Sequence, residues 1–586
     1  MVTTESCIVT TPNRKMVIAY ALHDVPEAPP AQPEVATAEN GVFLSSDTDD
    51  EVLATMGYQQ ELKRKYRTVE IFGVAFSIMR LMPSIATTLS FSLLAGPAGM
   101  VWSWFVASGC IFVVGLAMAD LGSGYPTSGA LSAKTRNYLC FLVGYSSSLG
   151  LIGGLCSIDY GFAAMFCAWI AMASEGRWQT SNNFVYVVFL VCVLTHGILA
   201  STSSRFMSRL LYFMIFINVA LVFATIVALL VGRTGQRNDA RVIFTKVNNL
   251  TTWPTGWAFM LAWLSPIWSI GSFDSLVSSS DDGFDLQVYM AEEASNAARA
   301  VPMGILSSIG MCWGLGFVIV IVIAHCMSPD LESILNSRFG QPMAQIYYDA
   351  LGKNGALAFT AFIFIVQYFM GLCFCVAASR QLWAFSRDGA LPFSRFIHPV
   401  SRRFGHVPVR AIWVCVIVAA VFGLLCVIAP AAASALFSLC IAGDNLAWCV
   451  PILARVVWGQ SRFKPGPFYT GRRFSVPIAW AAAAFLLLGI VLAMFPVGGP
   501  RPAPDSMNYC VVVNVAVWGG ASLYYFLDAR KWFTGPGDAL EAEDVEEEEE
   551  EEEEDISIEA ARSFHAEEKR KELQARSESD QSHVVL

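Results

Sequence analysis

Polar residues crowd both ends of this chain and almost desert its middle. Between about residues 71 and 527, apolar runs alternate with short polar connections. A run of about 20 apolar residues is what an α-helix needs to cross a bilayer. About twelve such windows can be placed, near 71–94, 99–119, 139–170, 184–201, 208–232, 256–280, 302–326, 356–384, 409–429, 433–454, 476–496 and 509–527. The pattern predicts an all-α integral membrane protein with about 12 transmembrane helices. The third window is long enough to hold a tilted helix plus an interfacial end.

Two of these windows are interrupted. The first, Ile71–Leu94, carries Met79, Arg80, Leu81, Met82, Pro83 and Ser84; the second, 256–280, carries Ser265 and Pro266 and then Ser269, Ile270, Gly271 and Ser272. A helix broken at mid-bilayer leaves backbone groups unpaired, which is tolerated only where the backbone is buried in protein or lines a water-filled cavity. Paired broken spans in the two halves of a chain point to a binding site between them. Pro83 lacks an N–H and clashes with the preceding turn, so unwinding is expected over Met79 to Ser84. N–H groups freed at the start of the following half-helix suit a carboxylate, and carbonyls freed before the break suit an ammonium. A zwitterion would satisfy both. Arg80, near mid-span, costs about 2.5–3.5 kcal/mol even on the gentlest scale, so it must face a cavity or a partner. In the second span Trp268 and Phe273 offer flat apolar walls. Asp274 can pair with Arg80, bind an ammonium, carry a proton, or sit solvated at the interface.

Other charges inside spans are few. Asp159 lies in the third, the pair Asp444 and Asn445 interrupts the tenth, and Asp120 ends the second. Intramembrane carboxylates recur in proton relays, so each is a candidate, with Asp159 the best placed by depth; a structural hydrogen bond between helices is the alternative. Gln367 reads as packing glue and His196 as an interfacial residue at the end of its span.

Composition sharpens this picture. The chain has 586 residues, 55% hydrophobic and 15% charged, with a mean hydropathy of +0.51; a soluble chain carries roughly a quarter charged residues. The net charge of -10 owes most of its excess to the acidic run Glu546 to Glu554. Residues 1–65 and 533–586 read as disordered polar tails, solvated or open to regulatory proteins, around a transporter-like domain at 66–532. The 15 cysteines are scattered through apolar spans without C-x-x-C spacing, which reads as packing. No metal, cofactor or nucleic-acid partner is expected. The polar first residues read as lacking a signal peptide, so targeting is expected to use the first span. Lys and Arg concentrate on the segments that are cytoplasmic if the N-terminus is inside, including Lys63, Arg64, Lys65, Arg402, Arg403, Arg472 and Arg473, so both termini are expected in the cytoplasm. The loop at 233–255 alone runs against this. There is no Walker A sequence, no G-x-S-x-G and no H-E-x-x-H, so neither ATP-driven pumping nor an enzyme is expected.

The residues then match a known pattern. Ala75-Phe-Ser-Ile-Met79, Leu81-Met-Pro-Ser-Ile-Ala86 and Ala95-Gly-Pro-Ala-Gly-Met-Val-Trp102 resemble the opening of fungal amino-acid permeases of the GABA permease and choline transporter branch. The likeness continues in Met118-Ala-Asp-Leu-Gly122, Pro126-Thr-Ser-Gly129, Gly153 to Gly161, Leu264 to Gly271, Glu292 to Pro302, Ser386 to Pro392 and Pro465 to Gly471, and covers about residues 66–532. It implies the amino acid–polyamine–organocation superfamily, a LeuT-like fold of two inverted five-helix repeats plus two extra helices, with the first and sixth helices unwound at a central site. It also implies proton-coupled uptake of an amino acid, GABA or a related amine. By the same carry-over, Ser77, Met79, Arg80, Met82, Pro83, Ser84, Trp268, Ile270, Gly271, Phe273 and Asp274 line the substrate site. Asp159 and Asp274 are the proton-coupling candidates. Glu292, Glu293 and Arg299 belong to a cytoplasmic gating loop. The plasma membrane is the expected location, with the vacuolar membrane second. A choline or polyamine carrier of the same fold and a non-transporting nutrient receptor are the rival readings. Three departures stand out: Arg80 where the family has Gly, a missing aromatic stretch after Leu131, and extra sequence from Ser278 to Tyr289.

Overall fold

In the computed structural model, described for residues 81–533 except 124–132, 176, 202–203, 236, 272–296, 400–406, 429, 461–462, 464 and 504–506, the described elements are helices joined by short connections. The membrane helices are α1 (Leu81–Ser92), α2 (Gly96–Ser123), α3 (Ala133–Ala173), α4 (Asn182–Ala200), α5 (Ser204–Gly232), α6 (Thr255–Leu261), α7 (Leu264–Ile270), α8 (Ala297–Cys326), α9 (Pro342–Arg387), α10 (Val409–Phe422), α11 (Leu425–Ile428), α12 (Pro430–Ala454), α13 (Ser475–Met494) and α14 (Cys510–Leu527).

Each of the twelve apolar windows holds a helix. By length and hydropathy nine candidate spans stand among the described residues. One of them, Leu81–Ser123, contains two windows that meet at Gly96 (φ 76). The fifth window is shorter in its described part, Phe216–Gly232, and the sixth is cut into α6 and α7. The third window is one continuous helix of 41 residues. Among the described residues the protein is thus all-α, with enough long apolar helices for a multi-pass membrane protein.

Position in the bundle follows from composition. α1 is buried at every residue but Ser90, its hydroxyl side chains included, which places it at the centre of the bundle. α3 and α12 are the most enclosed of the long spans, whereas α14 turns Val512, Val515, Leu523 and Phe526 outward, as suits a lipid-facing helix. Small residues set the closest approaches, the usual device where lipid removes any hydrophobic drive between helices. At the α3–α12 crossing a Cβ on Gly443 would lie 2.6 Å from the Cα of Gly150 and 2.9 Å from the carbonyl oxygen of Ser146. The hydroxyl of Ser146 donates to the Gly443 carbonyl at 2.9 Å. At Gly96 a Cβ would lie 2.6 Å from the backbone nitrogen of Asn248, because the 246–250 segment bonds onto this turn: Asn248 N–H donates to the Ala95 carbonyl and Leu250 N–H to that of Leu94.

The crossing gives a direct test. Gly443→Leu pushes a side chain into backbone rather than into a yielding side chain, and is expected to cost about 1–3 kcal/mol or more. An unchanged melting temperature of the detergent-purified variant would show that α3 and α12 are not locked there.

Candidate functional site

The two interrupted spans meet. Thr88 of α1 and Ser265 of α7 share a hydrogen bond at 2.8 Å, and both are fully buried. Thr88 and Thr87 also donate back to carbonyls of the first turn of α1, Thr88 to Ser84 at 2.8 Å and Thr87 to Pro83 at 3.0 Å. These are the back-bonds that Thr hydroxyls make to carbonyls four residues earlier in a helix.

In the second span an interruption precedes Pro266, and the residues from Ser272 onward lie outside the described ones. Ser265 and Pro266 lie inside α7, and Ser269 and Ile270 continue it; the regular helix is interrupted only by a turn at Ala262 and Trp263, whose backbone stays right-handed helical. The reason is that a proline damages the turn before it. Pro266 can neither donate to the carbonyl of Ala262 nor tolerate it close by, so the interruption falls four residues upstream. The same rule corrects the first span. Met82, Pro83 and Ser84 form the first described turn of α1 rather than an unwound stretch, and all three are buried. Ser77, Met79 and Arg80 lie outside the described residues, as do Phe273, Asp274, Glu292 and Glu293. Arg299 is exposed on α8. The segments after Leu131 and from Ser278 to Tyr289 are also outside.

Trp268 is held from two sides. Its indole N–H donates to the Ser157 hydroxyl of α3 at 3.1 Å, and its ring stands edge-on to Phe437 of α12 at 5.0 Å. Phe437 in turn meets Phe91 of α1 at 5.9 Å and Tyr160 of α3 at 6.3 Å. Four helices therefore send aromatic rings to one place beside the junction of α1 and α7. Gly271 follows α7, and a Cβ there would lie 3.5 Å from the Trp448 ring. Phe437 was not legible as a site residue, since one aromatic in an apolar window carries no mark of its direction.

The carboxylates separate into different settings. Asp159 is fully buried on α3, and its Oδ2 lies 3.2 Å from Nδ1 of His196 on α4. His196 is fully buried too, which overturns the interfacial reading. Its place near the end of an apolar window says nothing of the helix packed over it. Gln367 of α9 does bind helices together, donating to the Ile158 carbonyl at 3.2 Å. Asp444 accepts the Cys440 thiol at 3.3 Å.

Asp120, at the end of α2, holds a strap rather than facing a cavity. It accepts from the Thr470 N–H at 2.9 Å, the Thr470 hydroxyl at 2.6 Å and the Ser475 hydroxyl at 2.7 Å. The Arg455 guanidinium lies 3.7 Å away, donates to the Ser475 hydroxyl and stacks 3.9 Å over Phe463. The strap is the Pro465 to Gly471 motif. Its Phe468 N–H donates to the Ser123 hydroxyl at 2.8 Å, and a Cβ on Gly466 would strike the Ser123 carbonyl oxygen at 1.6 Å.

Residues 67–517 match the family model for amino acid permeases. The chain belongs to that family. Among similar proteins, a GABA-specific permease of Saccharomyces cerevisiae is 41% identical over 514 residues, 86% of this permease and 88% of the relative. An amino-acid permease of Schizosaccharomyces pombe is 31% identical over 87% of this chain and 94% of its own length. Amino-acid permease 2 of Neurospora crassa is 27% identical over 86% and 91%. These relatives are carriers rather than enzymes, and this permease is an integral multi-pass membrane transporter of that class.

Removing the anchor of the strap should be costly to the permease. Asp120→Ala leaves the buried Arg455 without its carboxylate, a change of about 3–5 kcal/mol, and is expected to expose residues 465–471 to protease. A digestion pattern and melting temperature equal to those of the parent would contradict the anchoring.

Proposed function

We propose that this permease imports amino acids or GABA by alternating access, driven by proton symport, with the substrate held between the first turn of α1 and α7. The observation that carries this reading is the junction of the two interrupted spans: α1 and α7 are joined through the Thr88–Ser265 hydroxyl pair, 2.8 Å apart, beside the turn at Ala262 and Trp263. The likeness to a GABA-specific permease, 41% identical, supports the substrate class.

The chemistry follows from the halves of the two spans. N–H groups at the start of a half-helix attract a carboxylate, so Met82, Pro83 and Ser84 with Ser77, Met79 and Arg80 form the carboxylate end. Trp268, Ile270, Gly271 and Phe273 supply the wall, and Asp274 meets the amine. Glu292 and Glu293 belong to a gating segment that runs into α8 at Arg299. Residues 66–532 make the transport unit, carried in the plasma membrane with both tails in the cytoplasm, where regulatory proteins can reach them.

Uptake of radiolabelled amino acids, GABA, choline and polyamines into cells expressing the protein tests the reading. Saturable uptake of GABA or an amino acid, not displaced by excess choline, is expected. Failure to take up any of the panel at any pH would sink it. Arg80→Gly probes the departure from the family: if Arg80 grips the carboxylate, the loss of a charged hydrogen bond of about 1.5–3 kcal/mol should raise KM roughly 10- to 100-fold. Unchanged or faster uptake would remove Arg80 from the site.

A further inference from the structure

The buried pair of Asp159 and His196 has no role in the substrate site, and the stretch of α3 that carries it explains why it matters. Ser157, Ile158, Asp159, Tyr160 and Gly161 occupy little more than one turn, and neighbouring residues on a helix point to different sides. Ser157 accepts the Trp268 indole of α7 at 3.1 Å. Gly161 lies against α1, where a Cβ would come within 2.8 Å of Thr87 Cγ2. Asp159 points elsewhere, to His196 of α4 and to α9, where a Cβ on Gly371 would lie 2.2 Å from its Oδ1. The same turn thus touches both substrate-site helices on some faces and the Asp–His pair on another. Gln367, one turn before Gly371 on α9, ties the two sets together. It donates to the Ile158 carbonyl at 3.2 Å, and a Cβ on Gly161 would lie 2.9 Å from its Nε2.

The surroundings of the pair suit one mobile proton. Oδ1 of Asp159 is buried with no hydrogen-bond partner among the described residues. His196 carries the Tyr368 ring at 4.4 Å between centroids, and its Nε2 lies 3.8 Å from the Cys192 thiol. Asp159, Cys192 and His196 offer donor atoms within 4.8 Å of one another. The contacts to the imidazole use opposite ring nitrogens, Asp159 on Nδ1 and Cys192 on Nε2, and Cys192 lies beside Asp159 as well. Among the described residues, the other titratable groups facing the pair are Cys156 of α3, Cys192 of α4, and Tyr368 and Cys375 of α9, with Cys415 of α10 behind Cys375.

We propose that Asp159 and His196 together bind the co-transported proton, at a site separate from the substrate and linked to it through the Ser157–Gly161 turn. This rests on the permease reading above. With one proton the pair is an imidazolium beside a carboxylate, net neutral, and can stay shut in the dry interior. Without it the imidazole is neutral and the carboxylate charge is uncompensated, which a water-excluded site penalises heavily. The proton therefore binds when the pair is reached by water from the acidic side and leaves only when the turn of α3 shifts and water enters from the other. Trp268 and Thr87 tie that shift to the occupancy of the substrate site.

The test uses full-length protein in liposomes with radiolabelled GABA, or the amino acid that the uptake panel identifies. Asp159→Asn keeps an acceptor for the His196 N–H but cannot release a proton. Acid-outside pH gradients should drive accumulation at least 10-fold less in this variant than in the parent. Substrate exchange at equal concentrations and equal pH should stay within about twofold. His196→Gln, read in the same way, serves where Asp159→Asn fails to fold. Gradient-driven accumulation that survives with the parental pH profile would overturn the proposal. So would equal loss of exchange and accumulation in a folded variant, which would make the pair structural. Failure of the parent to move any substrate would instead defeat the permease reading.

Discussion

Everything in this molecule is arranged around one constraint: in hydrocarbon, each backbone N–H and carbonyl must find a partner inside the protein. Continuous helices such as α3 meet it without help. Where a helix is cut, as between α6 and α7, the open groups have to be placed at the centre of the bundle. α1 and α7 are buried along most of their length, and short side chains crowd their ends. The hydroxyls of Thr87 and Thr88 bond back onto α1, and Thr88 also joins Ser265 of α7.

How much of this could be read from the sequence depends on the range of the physics involved. The spans were legible because twenty apolar residues in a row need no partner to declare themselves. Pro266 acts locally, on the turn before it, which is why the helix is interrupted at Ala262 and Trp263. Partnerships were not legible. Asp120 announces nothing of Thr470 and Ser475, some 350 residues away, and His196 gives no sign that α3 will lay a carboxylate against it. A lone titratable residue in an apolar window has two futures, lipid interface or buried partner, and only the packing of another helix chooses between them.

The glycines of α3 show how packing makes such choices. Gly144, Gly150, Gly153, Gly154 and Gly161 each leave room for a neighbour: Phe385, Asp444, Leu439, Phe374 and Thr87 respectively. With side chains removed at those points, the helix can be approached closely on several sides, and its remaining polar residues are forced into contact with whatever arrives. The burial of Asp159 is a consequence of that crowding as much as of its own chemistry.

The crossing of Gly150 and Gly443 carries a mechanical consequence. At this contact backbone meets backbone, and the Ser146 hydroxyl and the Asp444 carboxylate close over it, so α3 and α12 resist being drawn apart there. Relative movement of helices falls more readily on the other faces of the bundle. The faces that carry hydroxyls and aromatic edges, rather than bare backbone, are the ones soft enough to allow it.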